Sequence, residues 1–307
     1  MEIIQYLNGN VSVSIHDDGT KIRTFEGVPQ PFHPETMDVK ITNFCTPEKD
    51  NPICSYCHEM STPKGLHGDL DKLMEVLSCL PTGIELALGG GNVLAHPDLL
   101  SFLIKLKEKG FISNITVNEK HLEKDKDLIL NLIDKDLIKG IGISYTSEKY
   151  LKHIKPIAMK SDNVVFHLIV GLNSIQDIDD LNLFCATLNK KCKILLLGYK
   201  QFGFGINHYL QNKTIEDNKY EWRIRLSKFF ARKSMILSFD NLAIDQLSLK
   251  RFFTDEGWSK FYMGDDGVFS MYIDAVKQEF AKSSTSNERV SFEKNSLLGF
   301  FRSLKGN

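Results

Sequence analysis

From residue 37 onward, short runs of β-branched and aliphatic residues alternate with longer stretches in which apolar positions recur every three or four residues. The short runs have the form of strands, and the longer ones that of helices with one buried face. Strand-like runs fall at 38–42, 84–88, 112–117, 141–145, 164–170 and 194–197. This alternation predicts βα units on a parallel sheet, an α/β fold of the partial (βα)6 TIM-like barrel type. The helical stretches carry their own punctuation. Within 69–80, Leu70, Leu73, Met74, Leu77 and Leu80 make one stripe. Pro97 and Asp98 open a second helix, which Gly110 closes. Leu128, Ile129, Leu132 and Ile133 mark a third, and Ser174 with Asp177 forms a capping-box variant ahead of Ile178, Leu181 and Phe184.

The two ends depart from this period. Extended runs at 11–15 and 21–25 flank Asp17-Asp18-Gly19 and predict an N-terminal β-hairpin; Pro29, Pro31 and Pro34 then form a connector. Beyond Gly205 the pattern gives a helix bearing Trp222, Leu226, Phe229 and Phe230, a strand at 235–239 and a helix around 244–253. Gly264-Asp265-Asp266-Gly267 turns into a strand at 268–275; a polar loop at 283–287 follows, and the apolar run 297–301 needs a packing partner. The expected organisation is a hairpin and connector (1–36), a core barrel (37–205) and an α+β extension (206–307) that completes or covers the barrel.

Composition fits a protein with a packed core: 42% of the 307 residues are hydrophobic and 25% charged. Net charge is −1, which argues against broad adhesion to nucleic acid or anionic lipid. No apolar run approaches the roughly 18 residues of a membrane span, and no basic segment precedes an apolar signal core. A cytoplasmic protein without membrane association is expected. Six cysteines, at 45, 54, 57, 79, 185 and 192, are too few for a disulfide scaffold of this length. Cys79, Cys185 and Cys192 read as buried or incidental thiols.

The other three, Cys45, Cys54 and Cys57, follow the first barrel strand directly, at the end where βα barrels carry their active sites. Three thiolates leave one position of a four-coordinate metal centre open. His58 or His67 would complete a zinc loop, so two alternatives stand beside the reading developed next: a zinc-dependent barrel hydrolase, and a non-catalytic metal-stabilised binding or regulatory module.

The cysteine run Cys45-x8-Cys54-Ser55-Tyr56-Cys57 resembles the cluster motif of the radical SAM superfamily. Tyr56 and the second spacing match the superfamily's Cys-x3-Cys-x2-Cys pattern, while the first gap is longer. Gly89-Gly90-Gly91-Asn92 after the second strand resembles its glycine-rich segment for the methionine amino group of S-adenosylmethionine, with Asn92 replacing the usual acid. His167-Leu168-Ile169-Val170-Gly171 resembles its adenine-side strand, and Gly198 and Tyr199 occupy the region whose backbone contacts adenine. The resemblance, over roughly 37–205, implies a [4Fe-4S] cluster on Cys45, Cys54 and Cys57, and S-adenosylmethionine held around Tyr56, Gly89, Gly90, Gly91, Asn92, Ile169, Gly171, Gly198 and Tyr199. Asn118, Ser144 and Asn173, near the ends of strands three to five, are candidates for its ribose or carboxylate. It also implies reductive cleavage to a 5′-deoxyadenosyl radical, a reducing partner such as flavodoxin or ferredoxin, and hydrogen abstraction from an unidentified substrate. A peptide or small metabolite is preferred to nucleic acid.

Candidate catalytic residues are His58, Glu59, Tyr199 and Lys200; Lys200 and Gln201 reach towards substrate in the barrel-mouth reading. His167 reads as a core histidine, Tyr145, Tyr199 and Tyr272 as packing and hydrogen-bonding groups with a hydrogen-atom relay as the alternative, and the charged run 119–127 as solvated helix surface. Gly203 and Gly205 superficially suggest a phosphate loop, but no P-loop Lys-Ser pair or dinucleotide fingerprint follows. No cysteine follows Cys192, which excludes a cysteine-ligated auxiliary cluster in 206–307.

Overall fold

The computed structural model describes residues 2–16, 21–46 and 53–305. The expected Asp17-Asp18-Gly19 turn and most of the loop between Cys45 and Cys54 lie outside the described residues. Strands β1 (Glu2–Asn8), β2 (Val11–His16) and β3 (Lys21–Phe25) pair antiparallel in the order β1-β2-β3. The two runs expected to form a hairpin pair antiparallel as β2 and β3, and β1 extends them to a three-stranded sheet. Its first strand contains Gln5 and Asn8, and short polar interruptions hid the alternation of Ile4, Tyr6 and Asn8 towards one side.

The second sheet contains β4 (Thr36–Thr42), β5 (Glu85–Gly90), β6 (Ile112–Asn118), β7 (Gly140–Ser144), β8 (Val164–Ile169), β9 (Cys192–Leu197), β10 (Met235–Phe239), β11 (Ser270–Asp274), β12 (Glu279–Ala281) and β13 (Arg289–Ser291). Its order is β10-β9-β8-β7-β6-β5-β4-β11-β12-β13, so it is open, with β10 and β13 at the edges. The six strands expected from the sequence run parallel in chain order. The extension adds a strand at each flank: β10 parallel to β9 and β11 parallel to β4. A closed barrel does not form among the described residues.

Two-residue periodicity explains the two faces. In β4, Met37, Val39 and Ile41 are buried, while Asp38 and Lys40 project the other way. Helices α1 (Leu70–Leu77), α2 (Leu99–Glu108), α3 (Leu122–Asp134), α4 (Leu151–Lys160) and α5 (Gln176–Thr187) supply the apolar stripes of one continuous core with the strands' buried faces. The Asp69 carboxylate caps α1 by accepting from Lys72 N at 2.9 Å. At the expected capping box, the Asp177 carboxylate accepts from Ser174 N at 2.8 Å. Cys185 and Cys192 are buried in this core.

At the N-terminal end of the sheet, Val11, Val13 and Ile15 pack with Phe269. Arg23 pairs with buried Glu35 at 2.7 Å, and Lys21 with Glu85 at 3.3 Å. The N-terminal sheet therefore closes this end of the molecule. In the extension, α6 (Phe204–Gln211), α7 (Thr214–Arg225) and α8 (Ser227–Phe230) precede β10. The single helix expected around 244–253 is instead α9 (Asn241–Leu247), ended by left-handed Ser248 at φ 53°, and a 3-10 turn. After α10 (Asp255–Phe261), the apolar tail forms α11 (Leu297–Ser303), whose Phe300 stacks on Phe280 of β12 at 5.7 Å.

Candidate functional site

Beyond Thr42 the chain folds back on itself: Cys45 N donates to Thr62 O at 3.0 Å and Thr62 N to Asn43 O at 3.0 Å. A turn closed by Cys57 N donating to Cys54 O at 3.1 Å completes the loop. All three cysteines thereby line one cavity of about 970 Å³ at the C-terminal end of the parallel strands. Burial, then the neighbouring Cys54 and Cys57, pushes the Cys45 thiol up to about 11, a sign of mutual proximity. Among the described residues, no three His, Cys, Asp or Glu side chains are drawn together into a single-ion site. Neither histidine considered for a zinc loop joins the cysteines. His67 Nδ1 lies 3.0 Å from Thr42 Oγ1, and His58 Nε2 lies 3.3 Å from Glu59 Oε1.

The triple glycine sits where β5 meets this loop. Gly91 N donates to Thr42 O at 2.8 Å and Asn92 N to Phe44 O at 2.8 Å, so the segment lies against the backbone leading to Cys45. A Cβ on Gly91 would stand 2.1 Å from Phe44 O, and one on Gly90, at φ 116°, 2.1 Å from Thr42 O. A Cβ on Gly89 would meet nothing within 4 Å, which leaves its backbone open to the cavity.

Below the cysteines the cavity is walled by the polar faces of the strands, including Asp38, Glu85, Asn114, Thr116, His167 and Asp240. Burial, and the charges of Asp266, Asp240 and Glu85, push Asp38 above the usual carboxylate range against the pull of Lys200. Burial and then Lys200 lower His167 to about 4. At one side, Lys40 Nζ bridges Glu59 at 2.9 Å and Asp274 at 3.3 Å, and Tyr272 donates to Glu59 at 3.1 Å. Burial alone would raise Glu59; His58 and Lys40 beside it hold its carboxyl far below the usual range. Lys200 Nζ lies 3.4 Å from His58 Nε2 and donates to Ser284 at 2.8 Å.

Of the residues singled out from sequence, Cys45, Cys54, Tyr56, Cys57, His58, Glu59, Gly89, Gly90, Gly91, Asn118, Ser144, Ile169, Asn173, Gly198, Tyr199 and Lys200 all line this cavity. Asn92 does not; it is buried, and its side chain accepts from Leu94 N at 3.2 Å. Gly171, at φ 94°, packs against Ile215 of α7. Several lining residues also have structural tasks. Asn173 accepts from Ile169 N at 2.8 Å and donates to Tyr145 O at 3.1 Å, tying two strand ends together. Tyr199 OH donates to Gly205 O at 2.8 Å.

Two sequence readings require correction. His167 is a cavity-lining residue rather than a core histidine, because β8 places its even-numbered core positions under the helices and His167 on the open face. The run 119–127 is not uniformly solvated: Glu119 is fully buried, His121 is 6% exposed, and Lys120 Nζ lies 3.7 Å from Cys54 Sγ. Asp38 and Lys40 were discoverable. A charge at every second position of an interior parallel strand signals a face turned to a cavity, since such strands are ordinarily apolar on both faces.

No protein-family profile matches the chain. Among curated proteins it is 31% identical over 137 residues to the tRNA modification GTPase MnmE of Mycoplasmoides gallisepticum, a match covering 40% of this chain and 28% of that protein. Among solved structures it is similar to Streptococcus suis SuiB bound to S-adenosylmethionine, with TM-score 0.61, 12% identity, and coverage of 89% of this chain and 64% of that one. SuiB bound to precursor peptide SuiA gives TM-score 0.62 and 12% identity, over 90% of this chain and 67% of that one. The chain thus spans about two-thirds of SuiB and under a third of MnmE. No helix among the described residues is long and apolar enough to cross a membrane. At 12% identity the likeness to SuiB is one of fold, and this chain shares that fold.

Proposed function

We propose that the chain is a radical SAM enzyme. Cys45, Cys54 and Cys57 would hold a [4Fe-4S] cluster, and S-adenosylmethionine would be cleaved reductively to a 5′-deoxyadenosyl radical that abstracts hydrogen from a substrate in the lumen. The observation carrying this reading is the meeting of three cysteine thiols and a cavity-facing glycine turn at the C-terminal end of β4 and β5. The donor set fits the group: three cysteine thiols line one cavity, and three thiolates would leave one iron of a [4Fe-4S] cluster open to a further ligand. Such a cluster supplies the single electron that breaks the sulfonium bond.

The chain's own residues do the rest. Gly89 leaves backbone groups approachable by the methionine end, while Asn118, Ser144, Ile169, Gly198 and Tyr199 wall the space for ribose and adenine. Lys40, Glu59 and Asp274 fix the loop carrying Cys57 to the sheet. The N-terminal sheet closes the far end, restricting water and stray hydrogen donors. That SuiB binds a precursor peptide supports a peptide substrate here, and the polar floor around Asp38 and His167 supports a polar reacting side chain. Reducing equivalents would come from a partner such as flavodoxin or ferredoxin.

The test is anaerobic reconstitution, then dithionite and S-adenosylmethionine, with 5′-deoxyadenosine measured alone and with candidate peptides. About four irons and sulfides per chain are expected in wild type and loss of the cluster in Cys54→Ala. Normal iron content and cleavage in Cys54→Ala overturn the assignment. Uptake of zinc alone, without S-adenosylmethionine binding, would favour the hydrolase or the non-catalytic module.

A further inference from the structure

Two of the three cysteine sulfurs have polar side chains from outside the cysteine loop beside them. Lys120 Nζ lies 3.7 Å from Cys54 Sγ, and Asn118 Nδ2 lies 4.0 Å from the same sulfur. His121 Nε2 lies 3.7 Å from Cys45 Sγ. Ser61 lines the same cavity as Cys57, is 2% exposed, and its hydroxyl has no hydrogen-bond partner among the described residues. Placement of the Lys120–His121 pair is built in: Asn118 Oδ1 accepts from Lys120 N at 3.1 Å and starts the 3-10 turn that carries both. The Lys120 ammonium is thereby held within reach of the Cys54 sulfur.

A buried hydroxyl without an acceptor costs about 1–3 kcal/mol, so a use for it is expected. Sulfur carrying added negative charge provides one.

We propose that Lys120, His121 and Ser61 form a donor shell around the cysteine sulfurs that raises the reduction potential of the bound cluster. The proposal rests on the radical SAM reading above. Reduction adds one negative charge to the cluster; a cation and hydrogen-bond donors at its sulfurs stabilise that state more than the oxidised one. No bond is made or broken in the protein.

The experiment is a redox titration of reconstituted protein without S-adenosylmethionine, following the spin-resonance signal of the reduced cluster. Wild type is compared with Lys120→Met, Lys120→Arg, Ser61→Ala and the distant exposed control Lys72→Met. At a fixed potential, Lys120→Met should lower the ratio of reduced to oxidised cluster about tenfold, equivalent to 59 mV for a one-electron couple. Ser61→Ala should lower it in the same direction by a smaller factor, Lys120→Arg should restore it, and Lys72→Met should leave it unchanged. Curves for Lys120→Met and Ser61→Ala that superimpose on wild type overturn the donor shell while leaving the enzyme reading intact. If Lys120→Met takes up no iron, the Ser61→Ala curve decides alone. Wild-type protein that assembles no cluster overturns both readings.

Discussion

Removing Lys40 should loosen the cysteine loop and the whole fold together. Its side chain is 6% exposed and sits between Glu59 at 2.9 Å and Asp274 at 3.3 Å, themselves 13% and 2% exposed. At an effective dielectric of about 20, unit charges this close attract by roughly 5 kcal/mol per pair. Desolvation offsets much of that gain, at several kcal/mol per ion, so the intact cluster is worth little net. Breaking it is different, because Lys40→Met leaves two buried carboxylates facing each other without a cation. The expected loss is about 3–5 kcal/mol in urea unfolding. The triple variant Lys40→Met, Glu59→Gln, Asp274→Asn should recover most of it. The new amides keep the other bonds, since Asp274 Oδ1 accepts from Val276 N and Lys277 N at 3.1 and 3.0 Å, and Tyr272 reaches Glu59 Oε1 at 3.1 Å. A single-variant loss below about 1 kcal/mol, or a triple variant as unstable as the single, refutes the reasoning. Since Glu59 lies two residues after Cys57, Lys40→Met should also retain less iron after gel filtration than the triple variant.

The triple glycine separates into two roles. Gly91→Ala should destabilise the fold by about 2–3 kcal/mol, because its methyl would meet the Phe44 carbonyl; Gly89→Ala should leave stability unchanged and weaken S-adenosylmethionine binding, measured by calorimetry, and equal melting temperatures for the two would contradict this. His167 titrates near 4 when folded against an ordinary 6.5, so between those values the unfolded chain binds more protons and stability rises with pH. That contribution is fully present above about pH 6.5 and lost towards pH 4, and His167→Gln should flatten the slope in that window; parallel profiles for the two proteins would dismiss it. Asp38→Asn replaces a carboxyl on the polar floor of the cavity. Substrate turnover should fall on the order of tenfold, as expected for losing one charge-assisted hydrogen bond, while uncoupled 5′-deoxyadenosine formation stays the same; equal turnover would show that Asp38 does not touch substrate.

What could be read from the sequence follows from the range of the forces involved. The βα alternation and the glycine turn are local, so the six parallel strands fall within one or two residues of their expected places. Strand β10 matches its expected bounds of 235–239, since Met235 and Phe239 frame an extended run between two turn signals. What local pattern cannot reach is sheet order. Nothing in residues 268–275 announces that β11 crosses the whole sheet to pair with β4 rather than with β10, its neighbour in sequence. That crossing is what brings Tyr272 and Asp274 to Glu59 and Lys40.

The same distinction explains the site. Cysteines and glycines are legible because their chemistry is carried by residue type and spacing. Lys120 and His121 were hidden inside a run of charges that looks like the solvated start of a helix, and Glu119 at its head is fully buried. Burial reverses the meaning of a charge run: Glu119 and His121 are out of water and Lys120 is half-buried at the end of β6, all three need partners, and two of the three face cysteine sulfurs. The third, Glu119, accepts from Thr146 N and Oγ1 at 2.8 and 2.6 Å, while burial raises its carboxyl to about 7. A buried glutamate anchored to the neighbouring strand's loop is the device that holds the turn of Lys120 and His121 in place. Charge at the cysteines is therefore set by residues whose positions depend on the ends of β6 and β7 meeting, a contact between strands that no pattern along the chain encodes.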